Sequence, residues 1–328
     1  IPLRLVGSEM CIRDSLSSEH DFVKNILKYR SLSKLKSTYV DSLPNQVLNS
    51  TNRVHTEYLQ TVASTGRLSS INPNLQNIPI RTKRGREVRK AFIPKDENHF
   101  LLAADYSQIE LRIIASMSEE KNMIKAFNNK EDIHSSTASI VFDIPVNEVT
   151  KTQRSNAKTV NFGIIYGVSA FGLSNQTDLS RSESKELIET YYHKYPNLKK
   201  FINDQIAYAR NNGYVKTLIG RKRYLKDINS SNGLVRSGAE RNAVNAPIQG
   251  TAADIIKIAM INIHNRLSKE NLSSKMLLQV HDELVFDVYK PEISETILVI
   301  KEEMENAFKL NIPLTVDIDY GLNWLEAH

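Results

Sequence analysis

QRSNAKTVNFGIIYG, Gln153 to Gly167, places Arg154, Lys158, Phe162 and Tyr166 four residues apart. On a helix of about 3.6 residues per turn each step of four drifts about 40° around the axis, so the four side chains share one broad face. That face carries two cations and then two aromatic rings. Fixed positive charge suits a triphosphate, and flat apolar surface suits a sugar and base, so the segment reads as a nucleotide-binding helix. In an arbitrary helix the commoner arrangement is a solvated cationic edge with the rings in the core. Two other segments tip the reading the other way.

The first is LLAADYSQIELR, Leu101 to Arg112, in which an apolar run reads as a buried strand and Asp105 falls where the strand gives way to a helix. The second is KMLLQVHDELVFDV, Lys275 to Val288, where two apolar runs flank His281, Asp282 and Glu283 as in a hairpin with acids at its tight turn. Acids at a turn are usually only turn formers. Two strand ends that each present an aspartate, however, make an all-oxygen site suited to Mg²⁺, which prefers carboxylates, water and phosphates. Together the three segments point to phosphoryl transfer.

These segments resemble motifs A, B and C of the family A DNA polymerases. The resemblance extends through TGRLSSINPNLQNIPIR (65–81), DIHSSTA (132–138) and ERNAVNAPIQGTAADII (240–256), and covers roughly Asp21 to His328. It implies an α+β fold: a polymerase palm, an antiparallel sheet with helices, with helical fingers inserted and the thumb largely missing. Residues 16–50 would be a thumb remnant, 51–115 palm with motif A, 116–212 fingers with motif B, and 213–328 the palm completion with motif C. Residues 1–15, IPLRLVGSEMCIRDS, carry none of these motifs, and the expectation is a non-native or artefactual segment. Full-length relatives carry a thumb, a 3′-exonuclease-like domain and often a 5′-nuclease upstream, so the expectation is a C-terminal polymerase-domain fragment.

The activity implied by the resemblance is DNA-templated DNA synthesis for replication and repair, adding dNTPs to a primer 3′-hydroxyl by two-metal phosphoryl transfer. Asp105 and Asp282 resemble the aspartates that hold two Mg²⁺ ions, with the Tyr106 carbonyl completing a metal shell and Glu283 acting from beside the metals. Arg154, Lys158 and His134 look like the triphosphate clamp, and Lys158 is also a candidate proton donor to pyrophosphate. Phe162 would pack on the deoxyribose, Tyr166 near the templating base, and Gln108 among the nucleotide contacts. Glu110 resembles the residue that fills the space of a ribose 2′-hydroxyl. Arg67, Arg241, Asn245, Gln249 and His281 look like duplex contacts in the minor groove, which check pairing geometry and not sequence. The implied partners are primer-template DNA and dNTPs, met by a monomer. A DNA-binding but catalytically impaired fragment and a single-subunit RNA polymerase are the alternatives; Glu110 and its DYSQIELR context argue against the second.

Composition agrees. A chain of 328 residues can bury a large core and divide into two subdomains. Its net charge of +6 suits a polyanionic partner. A single cysteine, Cys11, rules out an internal disulfide framework and favours a reducing compartment. No apolar run approaches the roughly 20 residues of a membrane helix, so no membrane partner and a cytoplasmic location are expected.

Periodicity and punctuation give a coarse element map. A capping-box pattern at Ser18 and Asp21 opens a helix over 21–35, strands fall near 54–61 and 100–104, and the basic stretch 82–90 between them is rich in turns. Helices dominate from Gln108 to Asn212, with Pro196 at a helix start. A hairpin follows over 213–225 with Gly220 at its turn. Pro247 should interrupt a long helical stretch and bend the row Arg241, Asn245, Gln249, leaving a second helix over 252–267. A last helix over 293–308 leads into the strand LTVDIDY.

Overall fold

The structure, a computed structural model, describes residues 20–80 and 82–328. The segment 1–15 with Cys11, the Ser18 capping box and Arg81 lie outside the described residues.

Helix α1, Asp21–Leu35, spans the expected range, but its N-cap is His20 with no side-chain capping bond, and it runs into a wide helical turn over Lys36–Val40. Tyr39 in that turn is buried and donates its hydroxyl to the Asn77 carbonyl at 2.7 Å, docking the helix onto the body of the protein. Two small antiparallel pairs follow: β1, Val47–Leu48, with β2, Arg53–Val54, and β3, Glu57–Leu59, with β4, Ser69–Ile71. The single strand expected over 54–61 is thus broken at Thr56, whose hydroxyl lies 2.6 Å from that of Ser70 and donates to the Pro73 carbonyl at 2.8 Å. The basic stretch expected to be turns is helical instead. Thr82 caps α2, Lys83–Arg86, by accepting from the Gly85 amide at 3.1 Å, and a tight turn continues over Glu87–Ala91.

The main sheet begins with β5, His99–Tyr106, which feeds α3, Ile109–Ser118. A helical block succeeds it: α4, Lys121–Asn128; α5, Ile133–Phe142; α6, Lys151–Ile165; α7, Ala170–Ser174; α8, Arg181–Lys194; and α9, Pro196–Asn212. The hairpin of β6, Tyr214–Lys216, and β7, Lys222–Tyr224, turns at Gly220, whose φ of +93° suits glycine. Beyond it stand α10, Gly233–Lys269; β8, Lys275–Val280; β9, Glu283–Tyr289; α11, Ile293–Glu305; and β10, Val316–Gly321. The last helix stops before 308 because Asn306 closes it, its amide donating to the Glu302 carbonyl.

Helix α10 overturns the expected break at Pro247. It runs unbroken for 37 residues, roughly 55 Å at the usual rise per residue. An interior proline forfeits one N–H and crowds the preceding turn, at a cost of about 3 kcal/mol. Here Ala243, Val244, Ala246, Pro247, Ile248, Gly250, Thr251 and Ala252 are all buried, and tertiary packing on that scale outweighs the local cost.

The sheet order is β10-β5-β9-β8, with every pair antiparallel. Alternation sends Leu102, Ala104, Tyr106, Leu284, Phe286 and Val288 into the larger core with α3, α10 and α11. Leu101, Ala103 and Val285 pack on the opposite face with Tyr39, Leu75, Ile78 and Trp324. Asp105 and Glu283 belong by parity to this second face, at its end. Among the described residues no helix is long and apolar enough to cross a membrane.

Trp324 anchors the second core. It is fully buried, meets Phe92 edge-on at 5.4 Å, carries the Arg89 guanidinium 4.2 Å above its ring, and donates from Nε1 to Glu283 Oε1 at 2.7 Å. Trp324→Phe keeps a ring in place but leaves the buried Glu283 Oε1 without its donor, and should destabilise the protein by about 1–3 kcal/mol. A lowered urea midpoint at unchanged slope checks this.

Candidate active site

The hairpin of β8 and β9 turns through His281 and Asp282, and His281 adopts φ +56°, the left-handed conformation such a tight turn demands. The Asp282 carbonyl accepts from the Tyr106 amide at 3.2 Å, which stitches the hairpin to the end of β5 and brings the two aspartates to one edge. Asp105 stands directly across from Glu283 on one side and Asp317 on the other. Burial, then the Asp282 and Glu283 carboxylates, pushes Asp105 up to about 7. Burial also raises Asp282, opposed by the Arg67 guanidinium, which lies 3.8 Å from Asp282 Oδ1.

Glu283 is committed elsewhere. Its oxygens meet Trp324 Nε1 at 2.7 Å, His328 Nδ1 at 3.3 Å and Arg89 Nη1 at 3.9 Å. The Tyr106 side chain is buried and donates to the Met304 carbonyl at 2.7 Å, so only its backbone can serve the site. Among the described residues no three His, Cys, Asp or Glu side chains gather round a metal. Two crowded carboxylates with an all-oxygen donor set nevertheless fit Mg²⁺, which keeps several waters and takes phosphate oxygens for the rest of its shell.

Beside the pair lies Glu110, buried at the start of α3. Oε1 accepts from Arg67 Nη2 and Oε2 from the Tyr166 hydroxyl, both at 2.7 Å. Burial raises Glu110, while Tyr166 and Arg67 oppose it; burial and Glu110 push the Tyr166 phenol up to about 12. Gln108 enters α3 with φ +56°, and its Oε1 is buried with no hydrogen-bond partner among the described residues.

Helix α6 opens with a capping box, Thr150 with Gln153, which fixes where its rows of side chains begin. Arg154 Nε donates to Asp132 Oδ2 at 2.5 Å. Burial works against that acid's charge, but hydrogen bonds from Arg154, Ser135 and the His134 amide prevail and hold Asp132 at about 2. His134 is buried with its ring 5.7 Å from that of Phe162. Burial, opposed by Asp132 and reinforced by Lys158 and Arg154, pushes His134 down to about 4. Lys158 is exposed. Tyr166 lies one residue past the helix, as its cap.

Because α10 is continuous, Arg241, Asn245 and Gln249 do share one face. Gly167 has φ +66°, and a Cβ there would sit 2.6 Å from Arg241 Cγ, so Arg241 lies across the residue after Tyr166. Gln249 lies close enough to the Tyr166 phenol to oppose the rise in its pKa, and Asn245 Nδ2 is buried without a partner among the described residues. His281 is exposed at its turn.

Four residues that the sequence does not announce brace Gly66, the residue before Arg67. Asp254, buried on α10, accepts from Arg221 at 2.8 and 2.6 Å and from Thr217 at 2.9 Å. Lys257 donates to the Gly66 carbonyl at 2.6 Å, and Arg221 packs where a Gly66 Cβ would be. No local spacing announces them, since Asp254 lies within a helical run that reads simply as core.

A sheet edge presenting paired aspartates, faced by a helix of two cations and two rings, defines a polymerase palm with inserted fingers. The chain belongs to DNA polymerase family A, whose profile matches residues 8–326. It is 47% identical over 322 residues to DNA polymerase I of Borreliella burgdorferi, covering 98% of this chain and 35% of that protein. It is 50% identical over 306 residues to DNA polymerase I of Streptococcus pneumoniae, covering 93% and 35% respectively. The chain thus spans about a third of the length of these curated relatives. Among solved structures, the POL domain of Pol1 from M. smegmatis, in complex with DNA primer-template and dNTP, superposes with a TM-score of 0.92 at 45% identity, covering 98% of this chain and 57% of that one.

Asp105 makes the metal-free fold sensitive to pH. Its folded value of about 7 lies above the ordinary 3.8, so its contribution to stability is fully present below 3.8 and is lost as pH rises towards 7. In EDTA the thermal midpoint should fall between pH 5 and pH 8 more steeply for the native protein than for Asp105→Asn. Mg²⁺ should raise the native midpoint more at pH 8 than at pH 5. Parallel profiles for the two proteins would contradict the assignment.

Proposed function

We propose that the chain carries the catalytic centre of a DNA-templated DNA polymerase, adding dNTPs to a primer 3′-hydroxyl in replication and repair synthesis. The observation that carries this reading is the placement of Asp105 and Asp282 at one sheet edge, tied there by the bond from the Tyr106 amide to the Asp282 carbonyl, with burial raising both carboxyls. Asp105, Asp282 and the Tyr106 carbonyl would hold two Mg²⁺ ions, which when bound lower the pKa of the primer hydroxyl and offset charge on the departing pyrophosphate. Arg154, Lys158 and His134 bind the triphosphate, and Lys158 donates a proton to the leaving group. Phe162 packs on the deoxyribose. Tyr166 stands near the templating base.

Glu110, held rigid by Arg67 and Tyr166, fills the space a ribose 2′-hydroxyl would need, so dNTPs are selected by exclusion. Gln108 and Asn245, whose buried polar atoms want partners, are supplied with them by nucleotide and duplex respectively. Arg67, Arg241, Asn245, Gln249 and His281 read acceptors common to all base pairs in the minor groove. Glu283 is a positioning residue for the hairpin, through Trp324.

With primed template, dNTPs and Mg²⁺, Asp105→Ala or Asp282→Ala should lower kcat by about a thousandfold or more with little change in DNA affinity, because the lost charge acts chiefly in the transition state. Near-normal extension by either variant would sink the assignment. Glu110→Ala should shift the kcat/KM ratio towards ribonucleotides. Phe162→Tyr should shift it towards 2′,3′-dideoxynucleotides, since the added hydroxyl replaces the missing 3′ interaction. If neither ratio moves, the sugar pocket is elsewhere.

A further inference from the structure

The four-residue rhythm of α6 passes over Asn161, which points away from that face into the core and is only 1% exposed. Its amide lies between His134 and a buried group of hydroxyls. Nδ2 is 3.1 Å from His134 Nδ1 and 3.1 Å from Thr137 Oγ1. Oδ1 accepts from the Tyr191 hydroxyl at 2.9 Å and from Thr137 at 3.2 Å. The Tyr195 hydroxyl donates to Thr137 Oγ1 at 3.2 Å, and the two tyrosine rings meet at a tilt of 34° with centroids 4.6 Å apart. All these side chains are buried.

The network has a direction. The Tyr191 phenol proton has its acceptor in Asn161 Oδ1. Turning the amide over would set N–H groups against that phenol and leave its proton unpaired in the core, an expensive arrangement. Nδ2 therefore donates, and His134 Nδ1 receives with its lone pair. A neutral imidazole has a single proton, so it sits on Nε2. Neutrality follows from the surroundings: burial above all, and then Lys158 and Arg154 on α6, disfavour the imidazolium, and Asp132, the acid that opposes them, is already bonded to Arg154.

We propose that Asn161 is a positioning residue that fixes His134 as its Nε2–H tautomer, so that a neutral ring donates one hydrogen bond to a phosphate oxygen of the incoming nucleotide. This rests on the reading of the α6 face as a triphosphate clamp. A neutral donor adds a hydrogen bond beside two fixed cations without adding repulsion.

The test uses protein labelled with ¹⁵N at histidine, without nucleotide, at pH 7.5. The ring nitrogens of His134 should report an unprotonated Nδ1 and a protonated Nε2; the reverse tautomer, or an imidazolium, overturns the proposal. In Asn161→Asp the carboxylate can only accept, so a proton should move onto Nδ1, and an unchanged spectrum would count against Asn161 as the cause. In steady-state extension, Asn161→Leu and His134→Ala should each raise dNTP KM about tenfold with little change in kcat, the worth of one hydrogen bond to a charged group. The double variant should be no worse than the worse single one; additive losses would mean that Asn161 acts by another route. An unchanged KM for His134→Ala overturns the phosphate contact, while the tautomer is judged by the spectrum alone, so the two failures are told apart.

Discussion

Everything at the mouth of the palm is arranged around the cost of placing carboxylates side by side out of water. Desolvation and like charge both favour the protonated acid, and Asp105 feels both. The backbone bond from the Tyr106 amide to the Asp282 carbonyl maintains the crowding, because it ties the two strand ends whatever the charge on the side chains. The neighbouring acids have protein partners: Asp282 has Arg67 within 4 Å, and Glu283 has Trp324, Arg89 and His328. Asp105 is left as the acid for which a cation from solution offers the largest relief.

The same economy links palm to fingers. Arg67 reaches both Asp282 and Glu110, and Glu110 in turn holds Tyr166 just past the end of α6. A displacement of Tyr166 would therefore strip a buried carboxylate of one of its two partners, which is costly in a site of low dielectric. Position in the fingers and charge balance in the palm are thus coupled through one side chain. The backbone that carries Arg67 is braced one residue earlier, by Lys257 on the Gly66 carbonyl and by the Asp254–Arg221 pair packed against Gly66.

Much of this was legible in the sequence where local rules and tertiary structure agree. Pro196 opens α9, Gly220 turns the small hairpin, and the apolar runs around His281 and Asp282 pair as expected. Pro247 was misread because a local rule counts the lost N–H but not the burial around it. Asp254 and Asn161 were invisible for a related reason. Asp254 is bonded to residues 33 and 37 positions away, and Asn161 to one 27 positions away, so their importance exists only once the chain is folded. The partners of Glu283 likewise arrive from the last residues of the chain.

The cations of α6 are not equivalent. Arg154 is already paired with Asp132, whose carboxyl stays ionised down to about 2, whereas Lys158 is exposed one turn further along. A phosphate approaching Arg154 must share or displace a carboxylate, while one approaching Lys158 displaces only water. In the proposed triphosphate-binding role Arg154 would therefore contribute less net attraction than its charge suggests and more orientation, because its guanidinium is already paired before the ligand arrives. Lys158, exposed to solvent, would in that role contribute the larger share of the field. If the three bind a triphosphate as proposed, attraction, orientation and hydrogen bonding are divided among side chains of different kinds, with His134 the neutral one.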